Sequence, residues 1–366
     1  MTIGIGGAGS KIAAKLDSNA TLINVSETEL NKVQGGSKRI VAQVRAEHGQ
    51  FRGSRKNREI GHDAYLAMRR EIQEIMRGEK IFCSTGGGTG NGITSGILED
   101  IAKMQEVPIS DKTFFGIVLP YAKLETSEFV NNTIEFLTGP LNDAIVSGNT
   151  GNIVLFSNKR KFEEEIAEDK YNQMIVDSLK TFLSVPEKND RFRLLDGHID
   201  HEDFALFISK SFFNHFTYFE YDPSKDFGKQ LDDNLNDLLL PPESPIEALF
   251  LLEVPKNGNP TEFYEILKYF VSLKVSPVYS VVENPELKKP AVTVSLLYSR
   301  QPAELVEDFN KISEEHVQAK VKKTIEQNVA LPKYEVNLEA EAKKAAKGRG
   351  DVNDEVLATL RRLGKL

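Results

Sequence analysis

Gly86-Gly87-Gly88-Thr89-Gly90-Asn91-Gly92 stands between an apolar run, Lys80–Ser84, and a helical pattern, Ile93–Met104. Five of its seven residues are glycine, where a strand-to-helix turn needs only about one or two. Glycine lets backbone amides close on an anion with no side chain in the way, and a helix start adds partial positive charge. Successive N–H groups with a hydroxyl at Thr89 form a nest for phosphate. The competing reading is a flexible loop, which has no need to sit at a helix start. A second glycine turn, Gly4-Ile5-Gly6-Gly7-Ala8-Gly9, follows the strand pattern Thr2–Ile5 and precedes a helix from about Ser10. It satisfies GxGxxG with Gly4, Gly6 and Gly9 in register, a weak signal alone, against which stands an ordinary tight turn. It misses the P-loop, because Ser10 precedes Lys11.

The rest of the first half repeats this order. Thr21–Val25, Thr113–Leu119 and Asn152–Phe156 read as strands. Arg58–Arg77 carries helical spacing, with Ile60, Ala64, Ala67, Met68, Ile72 and Ile75 on one stripe. This alternation predicts an α/β fold with a doubly wound, mostly parallel sheet whose ligand sits at the carboxyl ends of its strands. Glu163–Leu183 reads as a connecting central helix. After Pro241 the texture changes. Ile246–Val254, Ser276–Val282 and Val292–Tyr298 read as strands and Thr261–Ser272 as a helix, a smaller α+β second domain with an antiparallel or mixed sheet. Pro302–Gln327 is one long C-terminal helical pattern. Beyond Pro332 the chain is rich in Ala, Lys, Glu and Gly, which predicts a mobile tail. Within it Asn353 reads as the cap of a short helix with Val356, Leu357, Leu360 and Leu363 on one side.

Composition excludes several classes. The 366 residues are 40% hydrophobic and 27% charged, as in soluble globular proteins of one large or two medium domains. A formal net charge of -8 opposes general nucleic-acid affinity, so no direct sequence-specific DNA binding is expected. Cys83 is the sole cysteine, which rules out an internal disulfide framework and a cysteine zinc site and suggests the cytoplasm. The opening MTIGIGGAGSK lacks the order of a signal peptide. The most apolar stretch, Ala248–Leu252 with Val254 beyond, is too short to span a membrane, and no membrane partner is expected.

GGGTGNG resembles the signature loop of the tubulin/FtsZ superfamily, GGGTG followed by a small residue and Gly. The surrounding chain agrees. IGIGGAGSK is similar to that family's first phosphate loop. Leu22-Ile23-Asn24-Val25-Ser26 is similar to its second strand and Asn-x-Asp loop, with Ser26 where Asp is usual. Asn57-Arg58-Glu59-Ile60-Gly61 resembles the loop near the γ-phosphate, and Leu155-Phe156-Ser157-Asn158 the strand ending near the base. The likeness covers about residues 1–330 and is clearest over 1–100. It implies GTP or GDP bound with Mg2+ and GTP-dependent, head-to-tail polymerisation with further copies of the chain.

Carried over by position, the resemblance implies nucleotide contacts from Gly6, Gly7, Ala8, Gly9, Ser10 and Lys11, from Asn24 and Asn57, and from Gly86, Gly87, Gly88, Thr89, Gly90, Asn91, Gly92 and Asn158. A bulky residue at Gly88 or Gly90 is expected to abolish binding in a folded protein. The family's Glu and Arg on the ribose have no counterpart in Glu128–Leu137, where Asn131 stands instead. Tyr171 and Asn172 fall where the family stacks an aromatic ring on guanine and reads its edge. For Tyr171, an ordinary core tyrosine is an equal reading. The implied division is a GTP-binding domain at 1–160, the connecting helix and catalytic loop at 161–200, a second domain at 201–300, the long helix at 301–330 and a mobile basic tail at 331–366.

His198-Ile199-Asp200-His201-Glu202-Asp203-Phe204 matches the family's Asn-x-Asp-Phe-x-Asp loop in its acidic spacing, with His198 and His201 replacing Asn and Phe. In the family this loop enters the nucleotide pocket of the next subunit and positions the attacking water. A catalytic role is thus implied for Asp200 and, after it, Asp203. Phosphoryl transfer requires mostly positioning and electrostatics, which a carboxylate can supply. The competing reading is a surface loop with Asp203 as a helix N-cap. No HExxH spacing accompanies His198 and His201, and no metal site is expected there.

The long helix and the Lys/Arg-bearing tail resemble the TubZ proteins of plasmids and phages, of the shorter clostridial kind. Glu339–Leu366 holds seven Lys/Arg and five Asp/Glu. This likeness implies DNA segregation, with the tail gripping a DNA-bound helix-turn-helix adaptor of the TubR kind. A merely solvating tail, a PhuZ-like phage-positioning filament and a divergent FtsZ-like filament stay open. Two other classes compete. A dinucleotide-dependent oxidoreductase would use GxGxxG with Glu27 or Glu29 about 20 residues on, but leaves GGGTGNG unexplained. A scaffold that binds GTP without hydrolysing it is opposed by Asp200 and Asp203.

Overall fold

The computed structural model describes residues 1–43, 45–46, 49–50, 53–76, 78–235, 238–240, 244–299 and 303–326; the tail at 331–366, with its cations and terminal amphipathic pattern, lies outside the described residues. The chain divides into two compact units, Met1–His316 and Val317–Leu366.

The first half alternates strand and helix as its periodicity demands. It runs β1 (Thr2–Ile5), α1 (Gly6–Leu16), β2 (Thr21–Asn24), α2 (Glu27–Lys32), β3 (Lys38–Val41), a small hairpin of β4 (Arg45–Ala46) and β5 (Gly49–Gln50), then α3 (Arg58–Ala67) and α4 (Arg69–Glu74). Next come β6 (Lys80–Ser84), α5 (Gly88–Lys103), β7 (Phe114–Leu119), α6 (Ser127–Phe136), α7 (Asn142–Val146) and β8 (Ile153–Ser157). The strands lie in the order β3-β2-β1-β6-β7-β8, all parallel. Successive residues feed opposite faces: Ile81 and Cys83 enter one core and Phe82 the other. The order reverses between β1 and β6, so the crevice at their carboxyl ends is the topological switch point. Both glycine turns open there.

The second half holds α8 (Lys159–Glu163), α9 (Glu168–Leu183), α10 (Val185–Arg191), β9 (Arg193–Gly197), α11 (His201–Ile208), β10 (Phe213–Glu220) and α12 (Phe227–Leu235). It closes with β11 (Glu247–Val254), α13 (Phe263–Ser272), β12 (Val278–Glu283), β13 (Ala291–Tyr298) and α14 (Ala303–Glu326). β10 pairs antiparallel with β13 along its length and meets β8 at Phe213–Ile153. The second sheet therefore grows from the edge of the first, and one eleven-stranded sheet results.

The connecting helix read over Glu163–Leu183 is two helices, α8 and α9, with 164–167 outside both, and three other local features differ from the sequence reading. α1 and α5 start at Gly6 and Gly88, because the glycines themselves form the first helical turns. The pattern over 58–77 breaks at Met68, whose φ of -117 and ψ of 19 leave the helical region. β10 escapes periodicity because it is buried on both faces, with Asn214, His215 and Thr217 inside among the phenylalanines.

His215 has a measurable consequence. Its Nε2 bonds the Leu235 carbonyl, and burial pulls its pKa down to about 4. An unfolded histidine titrates near about 6.5. Between those values the unfolded chain binds a proton that the folded chain refuses. Stability therefore falls as pH drops through the window, by about 3 kcal/mol across it. His215→Gln keeps an N–H for the carbonyl and should flatten that slope in urea melts at pH 7 and 4.5. Equal slopes in variant and parent would clear His215 of the effect.

Candidate functional site

α1 begins directly at the end of β1, and three residues separate the end of β6 from the start of α5. Neither start has a side-chain cap and neither first turn holds an acid. By contrast, Ser26 and Asn57 cap α2 and α3, whose first turns carry Glu27, Glu29 and Glu59. Uncapped starts leave N–H groups and positive dipole ends facing the crevice, the makings of an anion site. The two turns touch: Gly6 is left-handed at φ 71, and a Cβ on it would lie 2.8 Å from the Gly90 nitrogen.

The glycines divide by role. A Cβ on Gly9 would overlap the Phe82 carbonyl of β6. Gly88 and Gly92 face the backbone of Asn57, Arg58 and His62, Gly61 faces Gly88 in return, and Gly96 lies under the Tyr65 ring. Gly88, Gly92 and Gly96 thus form a flat stripe, one turn apart, on which α3 rests backbone to backbone. Gly86 lies against the Phe129 ring. In the two turns, Gly7 and Gly87 have room: the nearest atoms to an added Cβ are Glu29 Oε2 at 3.7 Å and Ser84 Oγ at 3.9 Å. The packing therefore corrects one expectation. At Gly88 a bulky residue overlaps the Asn57 carbonyl, and at Gly90 it sits 2.8 Å from the Ser84 oxygen, so both disturb the fold and test nothing else.

Other residues singled out from the sequence are placed as follows. The Ser10 hydroxyl turns inward to the Gly4 carbonyl at 3.3 Å, and Thr89 is buried. Lys11 Nζ pairs with Glu168 Oε1 at 2.7 Å and holds that carboxyl below its usual range. Ala8 sits with Gly7 in the first turn of α1. Asn24 is buried; its oxygen accepts from Ser26 N at 3.0 Å and its amide donates to Glu29 Oε2 at 3.2 Å. The Glu29 carboxylate is thereby held over the first glycine turn. Asn57 accepts from Glu59 N at 2.8 Å. Asn91 is an internal lock, donating to the Thr85 and Asn132 carbonyls at 2.7 Å each. Asn131 faces α14, accepting from Ser313 Oγ at 2.6 Å. Its neighbour Asn132, which sequence reasoning missed, faces the glycine turn and donates to the Gly86 carbonyl at 2.8 Å.

On the far wall, Asn158 donates to Glu125 Oε2 at 3.3 Å at the ends of β7 and β8. Tyr171 is 1% exposed, its hydroxyl donates to the Ser157 carbonyl and burial raises its pKa, which makes it a core tyrosine. Asn172 is 6% exposed, and its amide nitrogen has no partner within the described residues. A buried unpaired amide is costly.

Asp200 and Asp203 lie elsewhere. Asp200, rather than Asp203, caps α11, its Oδ1 accepting from Asp203 N at 2.7 Å. His201 Nε2 lies 3.0 Å from Asp190 Oδ2. α11 runs along the amino edge of the parallel sheet. With Thr2 and Lys80, the first residues of β1 and β6, its residues His201, Phe204 and Ile208 line a cavity of about 430 Å³. The Ile208 carbonyl accepts from Asn152, at the start of β8, at 2.8 Å. Strands of four to six residues span roughly 13–20 Å. The structure thus sets the acidic loop and the glycine turns on opposite edges of one sheet. Among the described residues, no three His, Cys, Asp or Glu side chains converge to hold a metal, and no helix is long and apolar enough to cross a membrane.

No family model matches the chain, and no curated protein matches it in sequence. Solved structures match its fold. TubZ of Bacillus thuringiensis serovar israelensis, crystallised as a GTPγS-form protofilament, has a TM-score of 0.70 at 13% identity, over 89% of this chain and 94% of that one. TubZ of Clostridium botulinum phage c-st has 0.63 at 19% identity, over 87% and 98%. CetZ1 of Haloferax volcanii, a GDP-bound monomer, has 0.63 at 15% identity, over 87% and 98%. The chain therefore has the fold shared by these TubZ and CetZ structures.

Proposed function

We propose that this chain binds GTP with Mg2+ across the two glycine turns, polymerises head to tail, and hydrolyses the nucleotide with an acidic loop supplied by the next subunit. The observation that carries the reading is the separation just described. Glycine turns lie on the carboxyl edge of the sheet, whereas α11, which Asp200 caps and which holds Asp203, lines a cavity at the amino edge through His201, Phe204 and Ile208. One chain cannot bring them together, whereas two chains stacked along the strand direction can.

The residues present suit the nucleotide. Phosphates fit the uncapped starts of α1 and α5, and the unpaired Asn172 amide is a donor that a guanine edge would satisfy. Asn172, more than Tyr171, is then the base reader. Phosphate oxygens, water and one carboxylate commonly suffice for Mg2+, and Glu29 is the carboxylate over the first turn. When bound, the ion would neutralise charge on the transferred phosphoryl group. Asp200 is fixed by its capping bond to Asp203 N, which leaves Oδ2 to orient water.

The finer reading is a cytoplasmic filament that segregates plasmid or phage DNA, with residues 339–366 gripping a TubR-like adaptor. It is supported by the tail composition and the TubZ fold matches. Deleting 339–366 should abolish co-pelleting of adaptor-bound DNA with filaments and spare assembly; pelleting that survives the deletion would refute the tail's role.

Nucleotide titration tests the core reading. The parent should prefer GTP to ATP, and Asn172→Ala should lower GTP affinity by about tenfold and erode that preference. Equal affinity of the parent for both nucleotides would remove guanine from the reading. Hydrolysis per subunit should rise with protein concentration, because each site is completed by a neighbour. A rate per subunit independent of concentration would contradict a shared site.

A further inference from the structure

Asn132 lies on α6, 9% exposed, and joins two segments distant in the chain. Its amide nitrogen donates to the Gly86 carbonyl at 2.8 Å and to the Lys56 carbonyl at 2.9 Å. Its own carbonyl accepts from Asn91 Nδ2 at 2.7 Å. Gly86 opens the second glycine turn. Lys56 belongs to the turn before α3, where two non-glycine residues in succession, Arg55 and Lys56, are left-handed at φ 52 and 63. Such a backbone is strained and persists only where its surroundings over-determine it. Here they do. Asn57 N donates to the Ser54 carbonyl at 2.8 Å, and the Lys56 ammonium lies 5.0 Å from the centre of the Phe129 ring. The same ring covers Gly86. Phe129 and Asn132 are one helical turn apart, so a single face of α6 holds both segments.

The position of that turn gives the latch a meaning. Tyr171, beside Asn172 on α9, packs in the core on one face of the sheet, and Ala64 and Tyr65 of α3 in the core on the other. The glycine turns lie between, at the strand ends. A nucleotide with its base at Asn172 and its phosphates over α1 and α5 therefore ends toward the turn at 53–57. Gly53 reaches the end of β2, where a Cβ on it would lie 3.8 Å from Ser26 Cβ, and Ser54 and Asn57 abut Gly88.

We propose that Asn132 is a positioning residue that latches the 53–57 turn to the glycine turn, and that this latch makes the site distinguish a nucleoside triphosphate from a diphosphate. The proposal rests on the guanine-nucleotide reading above. With the latch closed, the strained turn stays where a third phosphate meets it. With the latch open, the turn relaxes and the contact unique to the triphosphate is lost, while the contacts of the base and first two phosphates remain.

The test is parallel titration of the full chain with fluorescent GTPγS and GDP, both with Mg2+. Asn132→Ala, and the isosteric Asn132→Asp that has no amide to donate, should each cut the triphosphate-to-diphosphate affinity ratio about tenfold. GDP affinity should change little. A merely structural residue would lower both affinities by the same factor, and that result, or an unchanged ratio, overturns the latch. Amide exchange on the parent gives a reading that needs no variant: residues 54–57 should be better protected with GTPγS than with GDP. Equal protection overturns the proposal. A parent that binds both nucleotides but fails these comparisons refutes the latch alone; one that binds neither refutes the site reading with it.

Discussion

Asp200→Asn is expected to bind GTP as the parent does, to hydrolyse it at least about a hundredfold more slowly, and to accumulate polymer. The choice of asparagine follows from the structure. Asp200 caps α11 through Asp203 N. Asparagine caps about as well as aspartate, while alanine would remove about 1 kcal/mol of helix stability and blur the result. Asp200→Asn removes the charge and keeps the cap. Phosphate release and polymer turbidity measured together show the effect. A complementation experiment sharpens it. Gly87→Val has room in the fold but places a side chain at the start of α5, facing the crevice, so it should lose nucleotide. Mixed with Asp200→Asn, it supplies an intact acidic loop to a neighbour that still holds GTP. The mixture should regain hydrolysis that neither variant has alone. Parent-like turnover by Asp200→Asn would end the catalytic assignment, and failure of the mixture alongside two inactive, assembling variants would end the shared site.

Gly92→Val is the second large effect, and it acts on folding. An added Cβ overlaps the Arg58 carbonyl and lies 2.5 Å from His62 N, both backbone atoms that cannot rotate aside. Overpacking commonly costs about 1–3 kcal/mol and more when the neighbours are rigid. We expect a loss of about 3 kcal/mol or more, visible as a shift of the denaturation midpoint or as failure to obtain folded protein. Gly61→Val meets the Gly88 carbonyl from the other helix and should behave alike. Gly87→Val should be the contrast, folded but unable to bind nucleotide. Parent-like stability of Gly92→Val would mean that the α3–α5 seam has slack.

The sequence by itself determined what depends on local chemistry. Apolar runs of strand length alternating with helical spacing imposed the parallel sheet. Glycine after β1 and β6 marked the two uncapped helix starts at the carboxyl edge. The acidic spacing of Asp200 and Asp203 was legible because it lies within four residues. Tertiary structure decided whatever depends on which face of a helix meets a distant partner. Gly88 and Gly92 look the same as Gly87 in the string, yet they serve the α3 contact, because only the approach of Arg58 and His62 tells them apart. Asn131 and Asn132 are adjacent and identical, and only the phase of α6 against the glycine turn and α14 separates them. Tyr171 was open between core and base until its hydroxyl met the Ser157 carbonyl. β10 carries no alternation, since a strand buried on both faces has no polar side to show. The opposition of acidic loop and glycine turns is likewise a product of topology. α11 returns along the amino edge to the start of β8, a crossing that side-chain periodicity does not encode.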